Sequence, residues 1–228
     1  MIIKTHSYRF AEEILSCDDF KSIKDELYNI CKKCPVPIYP GKSKRQPSKD
    51  VVQQVMNTYF RIQFEKNGWE KEPLATPDEN ADELRADFRK KFVISENQNV
   101  TLQIEVEFGN IASSYRNYFK FQLSFSYGLT DLCVLIVPSN ELANRIDSGV
   151  SNYEKCIREI EQAKMSVTVP TIVIGLFDTD DKGNRIPQWN LKDEGIDVDV
   201  AKRSNNNVAE EHDIIVKGYI EENCNETP

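Results

Sequence analysis

Two glutamates lie two positions apart in a stretch that has the alternating pattern of a β-strand. Residues 100–110 alternate between apolar and polar side chains, and Glu105 and Glu107 fall among the polar ones. Side chains two positions apart on a strand point to the same face, about 7 Å from each other. Like charges this close repel, and a bound divalent cation is the usual way to relieve the repulsion. The pattern leaves two interpretations open, a metal site or the solvated outer face of an antiparallel strand.

A third acid favours the metal site. Asp87 precedes Glu105 within a basic segment that also contains Arg85, Arg89 and Lys90. An aspartate in a turn or short strand, followed by Glu-x-Glu on a central strand, suits a metal-dependent phosphodiesterase. Three carboxylates can hold one or two Mg²⁺ ions, which polarise a phosphate group. Acidic residues at such spacings are common, so the choice between a metal site and a solvated strand face depends on the surrounding sequence.

The charge distribution says more about partners than the net charge of −8 does. A negative total argues against a nucleic-acid partner, but a basic cleft can coexist with an acidic exterior. Lys42, Lys44, Arg45 and Lys49 cluster in a proline-rich loop, and a second basic cluster surrounds Asp87. Both clusters are candidates for phosphate contacts, and the alternative for each is a solvated loop.

Several classes of protein are disfavoured by composition. The six cysteines lack the spacing of a disulfide framework or a zinc site, and Cys31 and Cys34 form the only close pair. With His6 and His212 as the only histidines, we do not expect a histidine-based mechanism. No apolar run approaches the roughly 20 residues that span a membrane, and the N-terminus lacks a signal-peptide pattern. We therefore expect a cytoplasmic protein.

Hydrophobic periodicity predicts an α/β fold in a single domain spanning residues 1–228. Helices are predicted at 10–33, 49–67 with Ser48 as N-cap, 139–146, and 151–165 with a capping box at Ser151; buried strands are predicted at 132–137 and 169–177. Strand–helix–strand order argues for a mixed sheet flanked by helices. From about residue 178 the chain turns polar, and we expect a flexible C-terminal segment.

Several blocks resemble the type II restriction endonucleases of the BamHI, BglII and BstYI group, which have the PD-(D/E)xK nuclease fold. Residues 105–111 and 113–116 resemble the active-site strand of BamHI and the start of the helix that follows it. Residues 87–90 resemble the first-acid segment of BglII and BstYI, and 148–154 is similar to BstYI. The similar blocks run in order from about residue 37 to about 176, which is more specific than any one motif.

This resemblance implies a restriction-endonuclease-like fold, with a central mixed sheet of five to six strands, and a Mg²⁺-dependent active site. Asp87 and Glu105 are then metal ligands, and the backbone carbonyl of Val106 completes the coordination. Glu107 stands where most relatives of the fold have lysine, and a carboxylate can accept a proton from the attacking water.

The resemblance also implies a way to read double-stranded DNA. Base contacts are expected from the helix after Gly109 and from one loop; these residues are Asn110, Ser113, Arg116, Asp147 and Ser148. Phosphate contacts are expected from Lys42, Lys44, Arg45 and Lys90. Gly149 has no side chain with which to contact a guanine, so we expect a palindrome with a GATC core and a different or relaxed outer base pair.

The segment 113–127 is ambiguous. Its alternating aromatics predict a strand by pattern alone, whereas the resemblance implies a helix stopped by Gly128. A helix here is apolar on two sides, with Tyr115, Phe119 and Leu123 on one side and Tyr118, Phe121 and Phe125 on the other. Such a helix must be buried on both sides, and a second copy of the chain is the natural partner. We choose the helix and expect a homodimer.

Two alternative functions remain at the level of sequence. A DNA-repair or recombination nuclease of the same fold would use the same acids without a helix that reads a palindrome. A non-catalytic DNA-binding dimer would keep the basic clusters but lose the acids, which are intact here. If the chain is a restriction enzyme, a companion DNA methyltransferase is expected in the host.

Overall fold

The computed structural model describes residues 1–77, 84–164 and 166–224, except for the side chains of residues 112 and 113. Its strands are β1 Ile2–Tyr8, β2 Pro37–Ile38, β3 Glu70–Lys71, β4 Phe88–Ser95, β5 Gln98–Val106, β6 Leu132–Pro138, β7 Thr171–Phe177 and β8 Trp189–Asn190. Six of these strands form one mixed sheet in the order β1-β7-β6-β5-β4-β3, and β2 pairs with β8 separately. This confirms the prediction of a mixed sheet with restriction-endonuclease-like architecture.

Helices cover both faces of the sheet. They are α1 Ala11–Leu15, α2 Lys21–Lys33, α3 Gln53–Lys66, α4 Ile111–Ser126, α5 Asn140–Ile146, α6 Tyr153–Gln162, α7 Val198–Ala201 and α8 Ala209–Asn223. Helices α4 and α6 pack on one face through a smaller core that includes Phe121, Leu135 and Ile160. Helices α1, α2, α3, α5 and α8 share the larger core on the opposite face. The sheet is therefore buried on both sides.

Strand β5 occupies the middle of the sheet. It runs parallel to β6 and antiparallel to β4, with Phe88 opposite Ile104. The residue before Phe88 is Asp87, so this register brings Asp87 beside the end of β5 that carries Glu105. Sequence patterning placed Asp87 in a turn or short strand; the eight-residue strand β4 that follows it was not predicted.

Helix α4 resolves the ambiguity of the aromatic segment in favour of a helix. Its end has the hydrogen bonds of a Schellman motif, with the amide of Gly128 on the carbonyl of Phe125 and the amide of Leu129 on that of Ser124. Gly128 has a φ of 68°, which glycine adopts without a steric penalty. Tyr118 and Phe121 are buried against the sheet, so tertiary packing overrides the alternating pattern.

Two predicted N-caps are wrong. Helix α3 begins at Gln53 instead of near Ser48, because the backbone amides of Val51 and Val52 donate to Arg145 and Pro37 in an extended segment. The cap of α6 is Asn152, which accepts from the amide of Lys155. Ser151 belongs to a backbone pairing with Gly109, and this pairing fixes it outside the helix.

The chain after residue 178 contains regular elements as well as turns. Helix α8 packs on α3 and buries Val216 and Ile220. His212 bridges the two helices and α7, since its ring nitrogens face the hydroxyl of Thr58 and the carbonyl of Val200 at 2.9 and 2.8 Å. Among the described residues, no helix is long and apolar enough to cross a membrane.

Candidate active site

Asp87 is fixed to the strand that carries the glutamate pair. Its Oδ2 accepts a hydrogen bond from the backbone amide of Val106 at 2.7 Å. Glu105 precedes Val106 on β5 and is 1% exposed. Asp87, Glu105 and Val106 therefore meet at one end of β5, as the sequence predicts for a metal site.

The glutamate pair is not on a solvated outer face. Gln103, Glu105 and Glu107 all lie under α4 and are buried. The sequence could not distinguish this from a solvated face, because a strand with polar residues on one side looks the same whether that side meets water or a helix. Burial of the carboxylates makes their charge expensive and therefore chemically significant.

Burial changes the acidity of both acids at the end of β5. It raises the pKa of Glu105 to about 8, and the negative charge of Asp87 contributes to the rise. Burial also raises the pKa of Asp87, opposed by the amide hydrogen bond from Val106. Burial therefore disfavours the charged form of both carboxylates, even though a lysine contacts one of them.

That lysine comes from α4. The ammonium group of Lys120 donates to Oε2 of Glu105, and Lys120 is itself 9% exposed. On the other side, the amide of Gln103 lies 3.4 Å from Oε1 of Glu105, and Gln103 in turn accepts from the guanidinium of Arg89 at 3.0 Å. Glu105 is therefore held from both the strand and the helix.

Glu107 is held by a different set of contacts. Its Oε1 accepts from the amide of Gly109 at 2.6 Å, and its Oε2 accepts from the side-chain amide of Asn117 at 3.0 Å. The first contact shapes the turn from β5 into α4, and the second ties that turn to the second turn of the helix. Glu107 thus lies between the strand end and the helix.

These groups line an open cleft of about 300 Å³. Its lining residues are Arg85, Asp87, Glu105, Val106, Glu107, Arg116, Asn117 and Lys120. Within residues 1–77, 84–164 and 166–224, no three acidic, histidine or cysteine side chains already converge as a metal-binding group. The donors nevertheless fit a hard divalent cation, because carboxylate and carbonyl oxygens are its preferred ligands.

The residues expected to read bases fall on two segments that the structure brings together. Asn110 forms an isolated antiparallel bridge with Val150, and the amide of Ile111 donates to the carbonyl of Gly149. This pairing sets Asn110 beside the loop that carries Asp147 and Ser148, and all three side chains are exposed. Arg116 is exposed one and a half turns into α4, at the rim of the acidic cleft.

Gly149 has a structural reason to be glycine. Its φ is 77°, a conformation that other residues adopt only with strain. A methyl group there would lie 3.7 Å from the side-chain nitrogen of Asn110. Ser113 is also predicted to contact bases, and its side chain lies outside the described part of the structure.

The predicted phosphate-binding cations are in different situations. Lys44 and Arg45 are exposed in the loop after β2. Lys42 is partly buried and donates to the backbone carbonyls of Val51 and Ile146, and burial lowers its pKa to about 8. The structure does not bring Lys90 to the acids, because its ammonium group is bound by Glu26 and the carbonyl of Asn67 on the opposite face of the sheet.

Three residues of the site were missed by sequence reasoning: Gln103, Asn117 and Lys120. Gln103 had a usable signal, since it shares a strand face with both glutamates. Asn117 is ten positions after Glu107, and Lys120 is fifteen positions after Glu105. Each residue contacts its glutamate only because of the angle at which α4 packs on β5. No spacing rule along the chain predicts such contacts.

Residues 3–176 match the family model described as restriction endonuclease BglII/BglIII. This chain belongs to that family. The structure is similar to that of restriction endonuclease BglII complexed with a DNA 16-mer, at 16% identity over 79% of this chain and 80% of that one, with a TM-score of 0.65. Free BglII is similar at 15% identity over 79% and 82% of the two chains, with a TM-score of 0.52. No curated protein sequence matches the chain significantly.

Family membership makes the chain a type II restriction endonuclease, that is, a site-specific deoxyribonuclease. It decides against the two alternatives left by the sequence, a repair nuclease and a non-catalytic DNA-binding dimer. Enzymes of this family use a divalent metal, which agrees with the oxygen-rich cleft at the end of β5.

Proposed function

We propose that this restriction endonuclease cuts both strands of DNA at a short palindrome with a GATC core, in a reaction that depends on Mg²⁺. The observation that carries the proposal is the meeting of Asp87, Glu105 and Val106 in one cleft. A hydrolytic centre for phosphodiesters needs negative oxygen ligands beside space for a phosphate, and the cleft offers both.

Asp87 and Glu105 would hold the ion through their carboxylates, and the carbonyl of Val106 would complete the set. When bound, Mg²⁺ would supply electrostatic stabilisation of the negative charge on the reacting phosphate. Because burial raises the pKa of Glu105 to about 8, this carboxyl group would have to lose its proton to become a ligand.

Glu107 accepts a proton from the attacking water. Its two oxygens already accept hydrogen bonds from Gly109 and Asn117. A carboxylate has about four acceptor positions, so a water molecule can still be bound and oriented. A charged lysine at this position could donate a hydrogen bond but could not take the proton.

Sequence reading comes from the start of α4 and the neighbouring loop. Asn110 suits a bidentate contact with adenine and Arg116 one with guanine in the major groove. Ser113 lies between them in sequence and is part of the same proposed surface. Asp147 and Ser148 face the outer base pair, where the absence of a side chain at Gly149 relaxes the preference.

Phosphates are met by the exposed cations Lys44 and Arg45, with Lys42 as a weaker contributor because its ammonium already serves two carbonyls. Lys90 contributes only if it leaves Glu26, with which it forms an ion pair at 3.0 Å. A small set of cations beside an acidic exterior is compatible with tight binding, because local potential governs the contact with DNA.

The active unit is a homodimer. Tyr115 and Phe119 lie one turn apart on the outer side of α4 and are 55% and 57% exposed. Covering them with the same face of a second copy places two clefts about a dyad, which matches the symmetry of a palindrome. An enzyme that cuts a GATC-containing site also endangers its host, so a companion methyltransferase and a cytoplasmic bacterial location belong to the same proposal.

Plasmid digestion tests the proposal. Wild-type protein should give discrete double-strand fragments in Mg²⁺ and none in EDTA, and Asp87→Asn should give none in either. Fragmentation that continues in EDTA, or that is unchanged in Asp87→Asn, contradicts the assignment of the cleft.

A further inference from the structure

Helix α4 contacts both carboxylates of the glutamate pair. Lys120 donates to Glu105, and Asn117 donates to Glu107. The two donors are three positions apart, so they share one face of the helix, and both are less than 10% exposed. Gln103 of β5 also lies 3.4 Å from Glu105, but Lys120 and Asn117 contact the glutamates from the helix.

We propose that Asn117 and Lys120 are positioning residues for the cleavage reaction. Each fixes one carboxylate of the pair, so that α4 sets the geometry of the acids as well as carrying Arg116. This inference rests on the proposed function, since it assigns these acids to metal binding and proton transfer.

The contact between Lys120 and Glu105 has a second consequence. Lys120 is the cation that lies against Glu105, and it also lines the cleft that a divalent ion would enter. An ion bound by Oε2 would compete with this ammonium for the same carboxylate oxygen. Arg85 and Arg116 also line the cleft, and Gln103 and Asp87 face Glu105 from the sheet.

Helix α4 connects the residue that is proposed to read bases, Arg116, with the residues that contact the acids. Arg116 and Asn117 are adjacent, and Arg116 is at the rim of the cleft whereas Asn117 is inside it. A shift of the helix on DNA would therefore move both donors relative to β5. A displacement of about 1 Å is enough to change the rate of a positioned reaction about a hundredfold.

Direct binding of Mn²⁺ to the free protein tests the role of Lys120. Lys120→Met keeps an unbranched side chain of similar length but removes the competing ammonium, so Mn²⁺ should bind about tenfold more tightly. Lys120→Arg keeps the charge and should bind Mn²⁺ like the wild type. Titration calorimetry measures both, and thermal unfolding shows whether each variant is folded. Unchanged Mn²⁺ affinity in folded Lys120→Met contradicts the competition between the Lys120 ammonium and the ion.

Single-turnover kinetics test both residues in the full-length protein. Lys120→Met and Asn117→Ala should each lower the cleavage rate at saturating enzyme about a hundredfold while DNA affinity in Ca²⁺ stays within a factor of three. Ser126→Ala, at the exposed end of the same helix, is the control and should match the wild type. A merely structural role would lower stability and DNA affinity together, and that result overturns the inference.

Different results would contradict the proposed function and the positioning roles of Asn117 and Lys120. If the wild type shows no metal-dependent cleavage, the proposed function fails, and the Mn²⁺ titration still decides whether Lys120 competes for the site. If the wild type cuts DNA and both variants cut at its rate, only the positioning roles are wrong.

Discussion

Asp87 accepts a hydrogen bond from the amide of Val106, with 2.7 Å between Oδ2 and the backbone nitrogen. This contact joins the residue before β4 to the last residue of β5, across the antiparallel pair. The first acid is thereby held at a fixed position relative to Glu105, the preceding residue on β5. The geometry depends on main-chain pairing and so tolerates changes at many surrounding side chains.

Removing either acid should separate cleavage from binding. In Glu105→Gln and Asp87→Asn we expect cleavage to fall by at least about a thousandfold, because the metal loses a charged ligand. Binding of cognate DNA in Ca²⁺ should survive, since neither group is proposed to contact bases. Plasmid cleavage and gel-shift titration measure the two effects.

A matched control for these acids is Glu96→Gln, which removes the charge of an exposed glutamate in the turn between β4 and β5. It should leave both measurements unchanged. Wild-type cleavage in Glu105→Gln would contradict the assignment of the metal ligand.

Stability should fall as pH rises through the titration of Glu105. Its pKa is raised to about 8 in the folded protein, so the folded state binds this proton more tightly than the unfolded chain does. The stabilisation is complete below the usual glutamate pKa near 4.5 and is lost progressively as pH approaches 8. In metal-free buffer, the free energy of unfolding of the wild type should drop between pH 5 and 8 by at least about 1 kcal/mol more than that of Glu105→Gln.

Urea denaturation of both proteins at several pH values measures this difference. Burial lowers the pKa of His212, so the contribution of His212 to the stability of the protein increases as pH rises. Because His212 titrates in both proteins, this contribution cancels in the comparison. Parallel curves for the wild type and Glu105→Gln would show that Glu105 is not buried with a raised pKa.

The exposed side of α4 should control assembly. Phe119→Glu places a charge at the proposed interface and should raise the dimer dissociation constant by at least about 30-fold, because burying an unpaired charge costs more than about 2 kcal/mol. Sedimentation velocity over a range of concentrations measures it. Val93→Glu is the control, since Val93 is 75% exposed on the β4–β5 hairpin.

Phe121 is unsuitable for this experiment, although the sequence places it on the same helix. It is fully buried against the sheet, so a charge there would unfold the protein instead of separating subunits. A wild-type protein that is monomeric at micromolar concentration and still cuts both strands together would exclude the dimer.

Arg116 should govern recognition more than affinity for DNA in general. Arg116→Ala removes the proposed guanine contact, worth about 1–3 kcal/mol in each half-site, so cognate cleavage should fall about 30- to 10⁴-fold in a dimer. Low-salt binding to unrelated DNA should hardly change. Lys32→Ala, which removes an exposed cation from α2, is the control. An equal loss on cognate and unrelated DNA would show that Arg116 contacts phosphate instead of bases.

The sequence predicts the elements of this fold better than their contacts. The runs at β6 and β7 are apolar throughout because both faces are covered, and this pattern is local. Strand β1 was missed because its alternation is interrupted by polar residues at a sheet edge, where only its pairing with β7 defines it. The helical state of α4 came from resemblance, since its aromatic pattern on its own predicts a strand.

The residues of the site also fall into two groups, those that the sequence predicts and those that only the fold brings together. Asp87, Glu105 and Glu107 could be predicted because strand spacing and charge are properties of the chain itself. The contacts of Lys120 and Asn117 depend on how α4 crosses β5, and that crossing is set by packing of residues such as Phe121 against the sheet. Lys90 is the opposite case. It is close to Asp87 in sequence, but its side chain lies on the opposite face of the sheet, where it contacts Glu26.

Cleavage of a randomised DNA library, followed by sequencing of both new ends, shows whether the enzyme makes metal-dependent double-strand breaks at a defined palindrome. In Mg²⁺ the wild type should enrich ends from one short palindrome with GATC at its centre and a looser preference at the outer pair, and in EDTA it should enrich none. Ends scattered without a consensus, a consensus that lacks GATC, or equal cleavage in EDTA would contradict the account.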